Sequence, residues 1–197
     1  SAIGQAAILA FFGLLFMEMM ISQMKLRIEK VALCILGGLF VPYLFSSLIR
    51  VLTPDGGRYV ILIPFVLAFL SDTGAYFIGC RFGKHKLAPV ISPKKSIEGA
   101  AGGVVTAAIG MVIYCLILQL GFKFEVNYIY AVIYGILGAA CGVFGDLCLS
   151  LVKRQTGIKD YGNLIPGHGG VLDRFDSVLI VCPVIEFLLN LIPLAVK

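Results

Sequence analysis

The sequence contains no tryptophan, few charged residues and no pair of cysteines spaced as CxxC. Charged residues make up 14% of the 197 residues, and the mean hydropathy is +0.99, whereas soluble domains carry roughly 25% charged residues. This scarcity of charge excludes an ordinary soluble domain and indicates an integral membrane protein. The six cysteines all fall within or at the ends of apolar runs. We interpret them as small buried residues, not as a disulfide or zinc framework.

Common signatures of nucleotide-binding and hydrolytic proteins are also missing. The sequence has no Walker A loop, no GxGxxG fingerprint and no convincing Ser-His-Asp order. Ser1 leads almost at once into an apolar run, with no basic region before it and no small-residue cleavage motif after it. We therefore expect no secretory signal peptide, and a trimmed N-terminus fits this start. No nucleic-acid partner is expected.

Six apolar segments are long enough to cross about 30 Å of hydrocarbon at ~1.5 Å per residue. We predict an all-α, polytopic membrane helical bundle that forms a single domain over residues 1–197. Within it, residues 1–58 form N-terminal helices and residues 69–177 form a catalytic region. The segments are Ala2–Gln23, Val31–Ile49, Tyr59–Cys80, Ala100–Phe122, Val126–Val152 and Ser177–Val196.

The basic residues divide unevenly between the two sides of such a bundle. Twelve of the 16 Lys and Arg residues follow the first, third and fifth apolar segments. Short loops rich in Lys and Arg stay in the cytoplasm. We therefore predict that the loops at 81–99 and 153–176 face the cytoplasm and that both termini face outside.

Charge, glycine and apolar helix meet in residues 145–177. On a helix, Asp146, Ser150, Lys153 and Arg154 would share one face, because they occur at i, i+4, i+7 and i+8. Carboxylates, basic side chains and glycine-exposed backbone are the groups needed to hold a metal–polyphosphate complex. The other candidate site residues of the stretch are Lys159, Asp160, His168, Gly169, Gly170, Asp173, Arg174 and Asp176.

These residues allow more than one interpretation. Asp146, Asp173 and Asp176 flank a loop rich in phosphate-binding groups, which favours a Mg²⁺ site, since Mg²⁺ binds one or two carboxylates plus substrate phosphates. The alternative for Asp146 and Asp173 is an intramembrane salt bridge with Lys153 or Arg174. His168 either contacts phosphate or the base, or is a turn histidine.

A second polar group precedes this stretch. Asp72 lies in the second half of an apolar segment, where a carboxylate is a functional candidate by default. The basic loop after it contains a Ser-Pro-Lys-Lys-Ser run, which favours phosphate binding over simple attraction to anionic lipid. Glu98 would cap the next helix or orient a lysine. Glu186 has either a buried hydrogen-bonding role or a role in a substrate cavity. The phosphate-binding candidates in this loop are Ser92, Lys94, Lys95 and Ser96.

The pattern from Ser150 to Asp176 closely resembles the diagnostic motif of phosphatidate cytidylyltransferases, also called CDP-diacylglycerol synthases. The segments at 72–76 and 92–99 are similar to a second region of that family, and the resemblance covers roughly residues 69–177. It implies that CTP and phosphatidate react to give CDP-diacylglycerol and pyrophosphate, with Mg²⁺, at the cytoplasmic face of a bacterial plasma membrane. It also implies a homodimer, with Asp146 and Asp173 at the metal and a second, monovalent ion such as K⁺.

The residue chemistry is compatible with this reaction. Asp146 and Asp173 would hold Mg²⁺ with Asp176 as a further ligand, and Gly169 and Gly170 would expose backbone amides. Lys153, Arg154, Lys159 and Arg174 would bind phosphates, together with the candidates of the upstream loop and Ser150. Rival hypotheses are a CTP-dependent membrane enzyme acting on another lipid phosphate or lipid alcohol, an ion-coupled transporter using Asp72, Asp146 and Glu186, and a structural scaffold.

Overall fold

The computed structural model describes residues 2–22, 28–52, 57–162, 169–192 and 194–196. Eight α-helices are found in these ranges, with a π-helical segment at Leu36–Phe40 and a 3₁₀ turn at Leu172–Arg174. The predicted all-α membrane class is confirmed. The helices are α1 (Ala2–Ile21), α2 (Ile28–Ile35), α3 (Val41–Leu52), α4 (Gly57–Val60), α5 (Ile63–Phe82), α6 (Ile97–Phe122), α7 (Tyr128–Gln155) and α8 (Asp176–Leu191).

Five helical stretches in the described ranges are long and apolar enough to cross a membrane, ending at Ile21, Leu52, Phe82, Phe122 and Gln155. They coincide with the first five predicted spans. The sixth predicted segment is helical only as α8, which has 16 residues and is therefore about 24 Å long at 1.5 Å per residue. Its helix stops before the proline at position 193, because a residue that precedes proline is disfavoured in the α conformation; Ile192 is accordingly extended, with φ −138° and ψ 86°.

The contacts between residues divide the chain into two compact units, residues 1–46 and 47–197. In the first unit, Gly38 lies against the ring of Phe11: a Cβ at Gly38 would fall 2.5 Å from the ring. The second unit contains all the predicted site residues. The single membrane domain expected from the sequence stays a prediction.

Helices α5, α6, α7 and α8 form the core of the second unit. Tyr134, Met111, Ile63 and Ile185 are fully buried between them. Close approach of α6 and α7 depends on Gly135, because a Cβ there would lie 2.5 Å from Cα of Ala108. This packing fixes the positions of α5, α7 and α8, and these helices carry the acidic residues of the site.

Two short antiparallel pairs of strands were not predicted. β1 (Lys86–Ala88) pairs with β2 (Ser92–Ser96), and β3 (Glu125–Val126) pairs with β4 (Ala195–Val196). The first pair places the Ser-Pro-Lys-Lys-Ser run on a hairpin that leads directly into α6. We call residues 86–96 the basic hairpin.

Candidate active site

The C-terminal half of α7 presents the predicted polar face. Lys95 of the basic hairpin forms an ion pair with Asp146 of α7. One turn later, Ser150 Oγ donates a hydrogen bond of 3.2 Å to Asp146 Oδ1. The Asp146 carboxylate is thus held between the hairpin and its own helix, and the pair joins residues that are far apart in sequence.

Asp173 lies beyond the loop that follows α7 and pairs with Lys153. The Lys153 Nζ–Asp173 Oδ1 distance is 2.9 Å, and the two side chains are only 11% and 5% exposed. The backbone amides of Tyr161 and Gly170 donate to Asp173 Oδ2 at 2.8 and 2.9 Å. This is the salt bridge that the sequence left open as the alternative for Asp173.

The surroundings of Asp173 favour its charged form. Burial acts to raise its pKa, but the hydrogen bonds from Lys153 and from the amides of Gly170 and Tyr161 outweigh burial, and the pKa lies below the ordinary carboxyl value. Asp173 is therefore ionised at neutral pH and fastens the loop after α7 to the end of that helix.

Tyr161 is a part of this arrangement that the sequence did not identify. Its hydroxyl donates to the Leu149 carbonyl at 2.9 Å, and Lys153 Nζ lies 5.4 Å from the centroid of its ring. Burial, followed by the charges of Asp173 and Asp176, raises the pKa of Tyr161 to about 12. The phenol is therefore neutral at physiological pH and acts as a positioning group.

Two further carboxylates, from α5 and α8, converge with Asp146 of α7. Asp72, Asp146 and Asp176 lie within electrostatic range of one another. Ser177 Oγ donates to Asp72 Oδ2 at 3.2 Å, and the Ser177 amide donates to Asp176 Oδ1 at 2.8 Å. Ser177 thus holds two of the three acids, a role that its place at the start of an apolar segment did not reveal.

A cavity of about 180 Å³ opens beside these acids. Asp72 and Tyr76 of α5 line one side, and Lys94, Lys95 and Ser96 of the basic hairpin line another. Two lysines and a carboxylate in one small cavity suit an anionic group such as a phosphate. The structure therefore brings the two predicted polar groups together at one place.

Three other predicted residues of the hairpin region have contacts within the protein. Ser96 is the N-cap of α6, and its Oγ accepts a hydrogen bond from the Gly99 amide at 3.1 Å. Glu98 accepts from the Lys84 amide at 3.1 Å and from the His85 amide at 3.2 Å, and its Oε1 lies 2.6 Å from His85 Nδ1. Ser92 pairs with Ala88 at the start of β2. Their roles toward a substrate stay predictions.

The remaining basic and glycine residues lie around the loop after α7. Arg154 Nε donates to the Ile91 carbonyl of the basic hairpin at 3.3 Å. Gly170 approaches the backbone of Gly162 so closely that a Cβ at position 170 would lie 2.8 Å from the Gly162 nitrogen. Its amide binds Asp173, and Gly169 packs beside Asp160 with φ +82°. Lys159 is exposed in this loop, Arg174 is exposed in the 3₁₀ turn, and His168 lies outside the described residues.

Glu186 lies apart from these acids. It accepts two hydrogen bonds from Arg50 of α3, from Nε at 2.5 Å and from Nη2 at 2.8 Å. A bidentate pair of this kind matches the buried hydrogen-bonding role that the sequence allowed.

The side chains of the site offer carboxylate and hydroxyl oxygens, which are the type of ligand that Mg²⁺ prefers. Their arrangement does not gather the predicted ligand set: within the described ranges, no group of three or more His, Cys, Asp or Glu residues is placed to hold a metal ion. Lysines occupy the carboxylates of Asp146 and Asp173. If a cation binds here, Asp146 and Asp176 are the carboxylates that would hold it, because they interact with each other.

Comparison with known proteins gives consistent results. Residues 1–192 match a family model described as the cytidylyltransferase family. A phosphatidate cytidylyltransferase of Bacillus subtilis is 40% identical over 164 residues, which are 83% of this chain and 60% of that protein. Proteins of the same name from Staphylococcus saprophyticus and Haemophilus influenzae are 36% and 42% identical, over 93% and 68% of this chain and 68% and 46% of those proteins. The chain thus spans about half to two thirds of these relatives, and by its match over nearly its whole length it belongs to the cytidylyltransferase family.

Proposed function

We propose that this protein transfers the cytidylyl group of CTP to phosphatidate, which gives CDP-diacylglycerol and pyrophosphate for phospholipid synthesis. The observation that carries the proposal is the meeting of the basic hairpin with the acids of α5, α7 and α8 at one end of a membrane helical bundle. The relatives of the chain bear the name of this activity.

Both substrates match the chemistry of the site. CTP is a polyanion, and phosphatidate has an anionic headgroup on an apolar body. Lys94 and Lys95 line the cavity, and Lys153 follows Asp146 by seven residues on α7. Such groups bind phosphates through charge-assisted hydrogen bonds, while the surrounding apolar helices keep the acyl chains in the membrane.

The reaction needs no covalent enzyme intermediate, because the lipid phosphate is itself a nucleophile. One of its oxygens forms a bond to the α-phosphorus of CTP. The bond from that phosphorus to the oxygen bridging to the β-phosphorus breaks, and its electron pair leaves with pyrophosphate. The protein aligns the two phosphates and neutralises charge on the transferring and leaving groups. Lys95 and Lys153 would do this work, and without substrate they pair with Asp146 and Asp173.

A bound Mg²⁺ would add further neutralisation of phosphate charge. Asp146 and Asp176 would hold it, with Asp173 as a third carboxylate of the set expected from the sequence. A second, monovalent ion such as K⁺ belongs to the same proposal. The lysine partners of Asp146 and Asp173 are then free to move onto substrate phosphates.

We also propose the setting of the reaction. The distribution of basic residues favours a site at the cytoplasmic face, and the bacterial relatives favour a bacterial plasma membrane. A homodimer is proposed as the functional form.

A lipid panel tests the proposed function. The purified chain in nanodiscs is supplied with labelled CTP and, in separate reactions, with phosphatidate, diacylglycerol, lysophosphatidate or dolichyl-type phosphate, each with and without EDTA. We expect CTP turnover with phosphatidate that EDTA abolishes. Equal or greater turnover with a lipid alcohol or another lipid phosphate would contradict the choice of acceptor. Turnover that is insensitive to EDTA would contradict the metal.

A further inference from the structure

An apolar groove runs between α6 and α7 next to the site. It encloses about 370 Å³, and residues of both helices line it at i, i+3, i+4 and i+7 spacing, which is one face of each helix. Ile97 and Phe144 on its rim are 52% and 64% exposed, so the groove opens to the surroundings of the bundle. Small residues line the groove between the rim residues, Ala100 and Ala101 on α6 and Ala140 on α7, and they leave space between the two helices.

The groove is continuous with the polar cavity described above. Leu87, Ala100 and Val143 line both spaces. At one end, Lys94 and Lys95 face the shared opening. At the other end, the lining is entirely apolar. A ligand that fills both spaces would therefore combine an anionic group at one end with a hydrocarbon chain at the other.

We propose that the groove between α6 and α7 holds one acyl chain of the lipid phosphate whose headgroup lies at Lys94 and Lys95. This assignment rests on the proposed function, because it names the position of that reaction's lipid substrate. From Ile97 to Val104 the groove is about 10 Å long along the axis of α6, at ~1.5 Å per residue. It therefore receives the headgroup-proximal part of a chain that continues into the bilayer.

Packing and charge, not the hydrophobic effect, make such a site selective. Lipid tails are as apolar as the groove, so a chain gains little free energy merely by leaving the bilayer for it. Selection comes from the lysines, which attract the phosphate monoester, and the groove then orients the chain so that the phosphate points toward the acids of α7 and α8. Bulk lipids that lack that headgroup should therefore bind in this groove no more tightly than elsewhere on the bundle.

A second apolar groove on the same molecule serves as a control for nonspecific lipid binding. This groove, between α5 and α6, also encloses about 370 Å³. Val66, Leu70, Ile109 and Ile113 are among its lining residues, and it shares none with the polar cavity. General lipid solvation should fill both grooves alike, whereas a lipid phosphate should favour the first.

Photolabelling separates these cases without requiring turnover. The intact chain in phosphatidylcholine nanodiscs is exposed to a phosphatidate probe with a diazirine in mid-chain, or to a phosphatidylcholine probe with the same chain, and labelled peptides are identified by mass spectrometry. We expect the ratio of labelling at 97–104 and 140–147 to labelling at 109–117 to be about fivefold higher with the phosphatidate probe. The excess should disappear with unlabelled phosphatidate and in Lys94→Gln/Lys95→Gln. Equal ratios for the two probes would overturn the proposal.

Kinetics of a blocked groove give a second test. Ala101→Phe should lower kcat/KM for dioleoyl phosphatidate about fivefold while leaving dihexanoyl phosphatidate within about twofold, because a six-carbon chain fills only part of the groove and loses less when the groove is narrowed. Ile109→Phe, in the second groove, should change neither. Equal losses for both lipids in Ala101→Phe, or no loss, would overturn the assignment. An inactive wild-type chain that still shows the phosphatidate-specific labelling would instead contradict the proposed reaction and leave the lipid site standing.

Discussion

The Lys153–Asp173 pair should contribute much more to stability than the Lys95–Asp146 pair. Removing one member of a buried ion pair leaves the other charge without compensation, which costs on the order of 3–5 kcal/mol. In Asp173→Asn the amide oxygen still accepts from a backbone amide, so we expect a loss of about 2–4 kcal/mol. The side chains of Lys95 and Asp146 are 25% and 19% exposed, so Lys95 can turn toward water in Asp146→Asn, and its loss should stay near 1 kcal/mol.

These differences are large enough to measure by thermal unfolding in detergent. At roughly 2–4 °C per kcal/mol for a chain of this size, Asp173→Asn should lower Tm by about 5–10 °C, and Asp146→Asn by about 3 °C or less. Lys153→Met in the Asp173→Asn background removes the orphaned charge and should recover at least half of the lost Tm. Equal Tm values for Asp173→Asn and Asp146→Asn, or no recovery in the double variant, would refute the structural role of the pair.

Three further predictions concern the loop after α7, the topology and the lysines. Gly170→Ala should destabilise the loop and slow turnover at least about tenfold, because the new Cβ would lie 2.8 Å from the Gly162 nitrogen and 3.2 Å from Asp173 Oδ2. The control is Gly121→Ala, which should be active because nothing lies within 4 Å of the added Cβ. Normal turnover in Gly170→Ala would contradict the tight contact. In a background without native cysteines, a membrane-impermeant thiol reagent added outside should label a cysteine at position 123 and not one at 94 or 162; labelling of 94 or 162 would overturn the orientation. Lys95→Gln should lower kcat/KM about tenfold or more, since it removes a charge-assisted contact, whereas Lys123→Gln should be neutral; equal losses in both would point to general destabilisation.

Much of the fold could be predicted because charge is so scarce in this chain. The apolar runs end where basic residues or turn residues begin, and α5, α6 and α7 accordingly start and stop within four residues of the predicted bounds. The basic hairpin could not be predicted in this way. Its strands are only three and five residues long, and their sequence lacks the apolar–polar alternation of a strand with one buried face.

The sequence predicted which residues belong to the candidate site, but not which of them form ion pairs or hydrogen bonds with one another. Spacing on a helix placed Asp146, Ser150 and Lys153 on one face, and the structure confirms that they lie together on α7. Nothing local in the sequence links Lys95 to Asp146 or Ser177 to Asp72, which are 105 positions apart in the latter case. The first contact depends on the packing of α6 against α7, and the second on the packing of α5 against α8. For the same reason the sequence left the choice between metal and salt bridge at Asp173 open.

We propose above that the acids of α5, α7 and α8, with the lysines of the basic hairpin and α7, carry cytidylyl transfer to a lipid phosphate. The most direct measurement follows the fate of two labels in CTP, one at the α-phosphorus and one at the γ-phosphorus, with phosphatidate as acceptor. The account predicts that the α label enters the lipid fraction and the γ label is released as pyrophosphate. In Asp146→Asn, folded as judged by Tm, both processes should fall by orders of magnitude. Release of the γ label as inorganic phosphate, or undiminished lipid labelling in Asp146→Asn, would contradict it.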